Sequence, residues 1–208
     1  MQLTHPRVWI LVSLILASFL ALSSRAEAGP LVSSAAGCDA QALERPFLRY
    51  ADPAQYFLAP DGSFSGGAQG WRLSDADVVA ENQPNSTHAT EGVAALRVPV
   101  GTSVTSPAVC VGLAHPTLRF FARGDGSLLD SLAVEVLFED AGGSVHALPI
   151  GVVLGGGQWG PTLPMPIVAN LLPLLPDERT AVAFRFTSQG ASGAWKIDDV
   201  YVDPYSKG

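Results

Sequence analysis

The sequence is poor in cysteine, in basic residues and in helix signals. Its 208 residues include two cysteines, and 12 lysines and arginines stand against 19 aspartates and glutamates. Beyond the N-terminal region, runs with the 3.6-residue period of an amphipathic helix are nearly absent. An acidic chain without basic clusters repels phosphate backbones and anionic lipid, so nucleic acid is excluded as a partner.

The first 28 residues have the pattern of an export signal. A positive region ends at Arg7, an apolar run follows over 8–22, and Ala26-Glu27-Ala28 supplies the small residues of a cleavage site. The run of about 15 residues is shorter than the roughly 20 of a spanning helix, and an uncleaved anchor is the alternative. Prolines interrupt the next apolar stretch, 163–175. We expect a secreted, extracellular protein without stable membrane insertion after cleavage.

Cleavage after Ala28 would leave 180 residues, with 10 basic and 18 acidic side chains and a net charge of −8. This length suits one domain with one core. We expect a flexible leader over 29–45, with a short helix at 39–45, a β-sandwich domain over 46–204 and a tail over 205–208. The sequence does not fix the oligomeric state.

The two cysteines, Cys38 and Cys110, both follow the export signal. In an oxidising compartment two cysteines pair without remainder, so we predict a disulfide between them. Closing that long loop would contribute about 4 kcal/mol. The alternative is lipidation of Cys38, but the site has Ala35 where leucine or valine is expected, and it would leave Cys110 unpaired.

Short segments between glycines and prolines alternate apolar and polar residues, which is typical of half-buried strands. The clearest are 118–123, 132–139 and 182–187, and further candidates are 93–98, 108–111, 145–154 and 194–202. Many short strands with turn residues between them predict an all-β antiparallel sandwich of the jelly-roll type.

Two motifs at the ends of the strand region carry a family resemblance. Phe64-Ser65 is followed by Gly70-Trp71, and the segment 195–202 reads WKIDDVYV. These motifs resemble the opening and the closing strand of galactose-binding-like jelly-roll carbohydrate-binding modules, over roughly residues 55–203. The chain also resembles uncharacterised secreted proteins of high-GC bacteria, and that resemblance implies no activity.

The resemblance to carbohydrate-binding modules also implies a structural calcium ion, held partly by a glutamate of the opening motif and an aspartate of the closing strand. Ser65 stands at the glutamate position here. Asp61, Asp198 and Asp199 are the remaining candidate ligands, because calcium prefers carboxylate and carbonyl oxygens. The alternative is that one aspartate of the pair faces solvent while the other caps backbone or pairs with an arginine.

Candidate sugar-binding residues come from the strand pattern. Flat aromatic side chains beside polar groups recognise sugars. Trp159 lies at a loop edge and is a candidate, whereas Trp71 and Trp195 are expected in the core. Four charged side chains point away from the core side of their strands and could share one ligand-binding sheet face: Arg119, Arg123, Glu135 and Arg185. The alternative is a solvated face with cross-strand ion pairs.

Catalytic motifs are missing from the sequence. The histidines after the signal, His88, His115 and His146, have no metal-ligand spacing, and there is no nucleophile elbow or phosphate-binding loop. We therefore expect a non-catalytic secreted module that binds a carbohydrate or cell-envelope glycan. One alternative is a structural or adhesive surface protein that binds another protein through the apolar stretch 161–176. A jelly-roll hydrolase or lyase is the other, and it requires two of Glu135, Glu139, His146 and Asp198 to converge.

Overall fold

The computed structural model describes residues 31, 41–84, 93–140, 142–171 and 179–203. The predicted export signal, most of the predicted leader and the tail therefore lie outside the described residues. Among the residues described, no helix is both long enough and apolar enough to cross a membrane. Within these described ranges, two short 3-10 helices, Leu48–Tyr50 and Val168–Leu171, accompany thirteen strands.

The strands form two antiparallel sheets. The first sheet holds β1 (Phe57–Leu58), β3 (Asp77–Val79), β4 (Ala95–Pro99), β7 (Thr117–Gly124), β10 (Gly160–Pro161), β11 (Met165–Pro166) and β13 (Ala194–Val202). The second sheet holds β2 (Arg72–Ser74), β5 (Ser103–Thr105), β6 (Val109–Val111), β8 (Ser131–Glu139), β9 (Val145–Leu154) and β12 (Thr180–Gln189).

The strand order confirms the predicted jelly-roll sandwich. The first sheet runs β10-β7-β13-β4-β3, with β1 beside β13 and β11 beside β7, and the second runs β2-β5-β12-β8-β9, with β6 beside β12. Successive strands cross repeatedly between the two sheets, which is the double-sheet arrangement of a jelly roll. Strand β9 contains a β-bulge, at which Ile150 is skipped between the partners of Val134 and Glu135.

The core lies between the two sheets and follows from the alternation of the strands. Side chains of β7, β8 and β12 that point inward are fully buried, among them Phe120, Val136 and Phe184. Trp71 and Trp195 belong to the same core, as predicted. Each buried aromatic or aliphatic side chain of this kind stabilises the fold by about 1.5–3 kcal/mol.

A second, aromatic cluster covers the outer face of the first sheet. Phe47, Tyr56, Phe121 and Tyr201 are buried there, and the rings of Phe47 and Phe121 stack with centroids 5.4 Å apart. Phe47 and Tyr56, which precede the first sheet's long strands in the chain, supply half of this cluster.

The short helix expected at 39–45 is not found in its described part, 41–45. The backbone of Glu44 instead exchanges hydrogen bonds of 2.9 and 2.8 Å with that of Tyr56. This bridge holds the chain extended, and an extended chain is needed to lay Phe47 over the sheet. The prediction was wrong because burial of aromatic side chains outweighs a weak local helix preference.

Candidate functional site

A groove of about 500 Å³ crosses the outer face of the second sheet. It runs over strands β2, β5, β12, β8 and β9, so it lies across the strands rather than along them. Its polar lining comes from Ser74, Thr102, Ser103, Glu135, Arg185, Thr187 and Gln189. Among the described residues that line it, none is aromatic.

An ion pair lies in the floor of this groove. The inward-facing Val134 and Phe184 leave their neighbours Glu135 and Arg185 on the outer face, and the register places these two directly opposite each other. Arg185 Nε donates to Glu135 Oε2 at 2.7 Å, and both side chains stay partly exposed. The hydrogen bond to Glu135 raises the pKa of Arg185, so the guanidinium is charged at any physiological pH.

The groove can form hydrogen bonds in both directions. Glu135 engages the Nε–H of Arg185, and a guanidinium carries four further N–H donors in a fixed plane. The hydroxyl groups of Ser74, Ser103 and Thr187 both donate and accept. Such a surface suits a ligand with many hydroxyl groups, because each hydroxyl also donates and accepts.

Leu31 covers part of the same outer face, outside the residues that line the groove. Along β8 and β12, the pair Leu137 and Ala183 follows the ion pair on the same outer face, and Leu31 packs on these two residues with 2% of its surface exposed. Its backbone N–H donates to the carboxylate of Glu139.

The structure divides the four charged residues that were expected on one face. Glu135 and Arg185 lie on the second sheet, whereas Arg119 and Arg123 lie on β7 of the first sheet. The prediction of a shared face was therefore wrong. Alternation fixes which side of a strand a residue occupies, but it does not say which sheet the strand joins.

Arg119 is 7% exposed and its donors are engaged inside the protein. Its Nη1 lies 2.5 Å from Asp52 Oδ2, and its Nε donates to the backbone oxygen of Thr162 at 2.7 Å. The guanidinium also lies 4.3 Å from the ring centroid of Phe47. Through these contacts Arg119 holds Phe47, Asp52 and Thr162 against the first sheet.

Arg123 and Trp159 meet at Glu81, which follows β3. Arg123 Nη1 lies 2.8 Å from Glu81 Oε1, and Trp159 Nε1 donates to the same oxygen at 3.0 Å. Lys196 Nζ donates to Glu81 Oε2 at 2.7 Å. Desolvation acts to raise the pKa of Glu81, but the hydrogen bonds from Lys196 and Trp159 and the charge of Arg123 lower it. The sequence held no signal for Glu81, since its partners lie far away along the chain.

The acidic pair Asp198 and Asp199 is buried at a β-bulge of β13. Asp199 has a left-handed φ of 48°, which lets the strand carry two successive aspartates between the core residues Ile197 and Val200. Burial, followed by the neighbouring charge of Asp199, raises the pKa of Asp198 to about 8.

The expected calcium ligands do not converge in the described part of the chain. There, no three histidine, cysteine, aspartate or glutamate side chains are grouped to hold a metal ion. The carboxylate of Asp61 accepts the backbone N–H groups of Gly66 at 2.9 Å and Gln69 at 2.5 Å, which closes its own turn. The residues present therefore do not fit the calcium site that the resemblance implies.

The four residues of the hydrolase or lyase alternative are scattered. Only Glu135 lines the groove. Glu139 lies four residues further along β8, about 13 Å away for an extended strand. His146 pairs with the exposed Asp140 at 2.7 Å, and Asp198 belongs to the other sheet.

The apolar stretch 161–176 is half packed against the sandwich where it is described. Met165, Ile167 and Ala169 belong to the core, whereas Leu163 is 82% exposed. Cys110 is buried in β6. Cys38 lies outside the described residues, so the disulfide stays a prediction.

No protein-family model and no curated protein matches the chain. Solved structures with a similar fold include the CBM22-1 xylan-binding domain from Paenibacillus barcinonensis Xyn10C, which is 16% identical over 68% of this chain and 90% of its own, with a TM-score of 0.46. TmCBM61, solved in complex with β-1,4-galactotriose, is 21% identical over 70% of this chain and 96% of its own, with a TM-score of 0.38.

A third similar structure is the enzymatically active domain of tailspike protein 4 of bacteriophage CBA120, which is 16% identical with a TM-score of 0.49. The alignment covers 70% of this chain, which spans only 21% of that domain. Two of these three proteins are carbohydrate-binding modules, the class that the end motifs of the sequence resemble. At these identities and TM-scores, the likenesses carry no argument about what this chain binds.

Proposed function

We propose that this protein is an exported, non-catalytic module that binds a glycan in the groove across the second sheet. The observation that carries the proposal is the ion pair of Arg185 and Glu135 in a groove lined by serine, threonine and glutamine side chains. The volume of about 500 Å³ lies within the usual range of ligand pockets. The end motifs of the sequence support a carbohydrate as the ligand.

The lining favours an extended glycan held by hydrogen bonds. Since no aromatic ring lines the described groove, stacking on sugar faces contributes little and the planar guanidinium of Arg185 supplies most of the orientation. Each hydrogen bond that replaces one to water adds only about 0.5–1.5 kcal/mol. Several sugar units must therefore bind at once to reach useful affinity.

The pattern of the first 28 residues supports export, and an exported protein would meet cell-envelope or environmental glycans. The same compartment favours the disulfide between Cys38 and Cys110.

A glycan array probed with residues 29–208 tests the proposal, followed by calorimetric titration of the best ligand. We expect Arg185→Ala to weaken binding at least tenfold, because a charged hydrogen bond of about 1.5–3 kcal/mol is lost. The matched control is Arg97→Ala, which removes an exposed arginine that pairs with Asp77 on the first sheet at 3.1 Å. The proposal is wrong if no glycan binds at millimolar concentration, or if both variants lose affinity equally.

A second candidate function is that of a surface protein that binds another protein. The observation that favours it is the exposure of Leu163 beside the apolar residues Val152 and Leu154 of the edge strand β9. Pull-down from envelope extract with the wild type and with Leu163→Asp would separate the two. Retention of one protein by the wild type alone would support this function, and equal retention would remove its basis.

A further inference from the structure

The buried acidic pair of β13 has hydrogen-bond donors of the protein itself on three of its four carboxylate oxygens. The backbone N–H of Asp199 donates to Asp198 Oδ1 at 2.8 Å. The backbone N–H of Gln83 donates to Asp198 Oδ2 at 3.2 Å, and Gln83 Nε2 donates to Asp199 Oδ2 at 3.1 Å. A single residue, Gln83, therefore reaches both carboxylates.

Contacts of the neighbouring residue Glu81 help to hold Gln83 beside the acidic pair. It is 1% exposed, and Glu81, two residues earlier, is fixed to the first sheet by Arg123 and Lys196. The chain after β3 is thus anchored to a cationic pair by Glu81 and to an acidic pair by Gln83. Because both anchors sit on the same short segment, the backbone of Gln83 is held beside the acidic pair.

We propose that Gln83 takes the structural role of a calcium ion at the buried acidic pair. Its backbone N–H and its side-chain amide bridge the two carboxylates, so the residues present do not fit a calcium ion there. The fold of this chain is then independent of calcium.

The geometry explains why a cation is excluded from the native position. Calcium requires six to eight oxygen ligands. A side-chain amide could rotate to present its oxygen, but the two backbone N–H groups on Asp198 cannot. Each N–H group directs its partially positive hydrogen at one oxygen of the Asp198 carboxylate. A cation bound to these oxygens would be repelled by the two hydrogens.

Thermal unfolding of the purified wild type in EDTA and in millimolar CaCl2 tests the independence of the fold from calcium. We expect the same Tm in both solutions. A calcium-dependent rise of the wild-type Tm that MgCl2 does not reproduce would overturn it, because a ligand that binds only the folded state stabilises it.

Gln83→Glu tests the bridging role of the amide, with Gln158→Glu as the matched control, since Gln158 is exposed and the substitution adds the same charge. We expect Gln83→Glu to unfold at a lower temperature than the wild type, because the donor to Asp199 is replaced by a third buried carboxylate. Calcium should not restore its Tm, since both backbone N–H groups remain on Asp198. The control should unfold like the wild type. A Gln83→Glu protein that is as stable as the wild type, or whose Tm calcium restores, would contradict the proposal.

Discussion

Replacing Arg119 with methionine tests whether this arginine stabilises the fold or binds the ligand. The side chain lies on the outer face of the first sheet, with its guanidinium between Asp52 and the ring of Phe47. Methionine keeps much of the apolar contact that the stem of arginine makes, and it removes the charge and the donors. The variant therefore measures the polar contacts of Arg119 with little loss of packing.

The expected loss of unfolding free energy is about 3–5 kcal/mol, because removing one partner of a buried ion pair leaves the other charge uncompensated. Asp52 is that other charge, and it stays only one-fifth exposed. Asp52→Asn should cost less, since the hydroxyl of Tyr56, which donates to Asp52 Oδ2 at 2.7 Å, keeps an oxygen acceptor. The double variant should lose less than the sum of the two, with a coupling of about 1–3 kcal/mol.

Urea unfolding followed by tryptophan fluorescence gives these free energies, and Arg49→Met, at an exposed position, is the control. Glycan affinity of the folded Arg119→Met protein should equal that of the wild type. The reasoning is refuted if Arg119→Met loses less than about 1 kcal/mol, the usual size for an exposed pair, or if it unfolds normally and loses glycan binding.

Three further predictions concern stability. Because the folded-state pKa of Asp198 is raised from 3.8 to about 8, the stability that Asp198 contributes should be fully present below pH 4 and be lost as pH rises to about 8, with a slope of up to about 1.4 kcal/mol per pH unit. The difference in unfolding free energy between the wild type and Asp198→Asn, measured at a series of pH values, should follow this slope, and a difference that does not change with pH would contradict it. Leu31→Ala should lower the unfolding free energy by about 2 kcal/mol, since it empties the space above Leu137 and Ala183, and an unchanged urea midpoint would contradict this. Alkylation of the unfolded, unreduced exported protein should modify no thiol, and a labelled cysteine in the mass spectrum would rule out the Cys38–Cys110 bridge.

Alternation along the strands was enough to predict the sandwich and the side of each strand that faces the core. The inward residues Leu118, Phe120 and Ala122 and the outward Arg119 and Arg123 lie as expected. This holds because successive side chains of a strand point to opposite faces of the sheet. When one face is buried, the apolar residues must take that face and the polar residues the other. The sheet to which β7 belongs depends on long-range pairing, and alternation carries no information about that.

The candidate site was predictable only in part, for the same reason. Glu135 and Arg185 are fifty residues apart and meet through the register of β8 and β12. No sequence pattern marks Glu81 and Gln83 as site residues. Both lie in a loop, and their hydrogen-bond partners are far away along the chain, so hydrophobic periodicity carries no information about them. Trp159 was expected at a loop edge, but its engagement by Glu81 could not be seen without the fold.

Titration of isotope-labelled residues 29–208 with the best array glycan, followed by backbone amide NMR, tests the central claim most directly. The account predicts that the shifts gather on the outer face of the second sheet, at Ser74, Ser103, Glu135, Arg185 and Thr187. Shifts that gather around Trp159 and Arg123 on the first sheet, or no shifts at millimolar glycan, would contradict it.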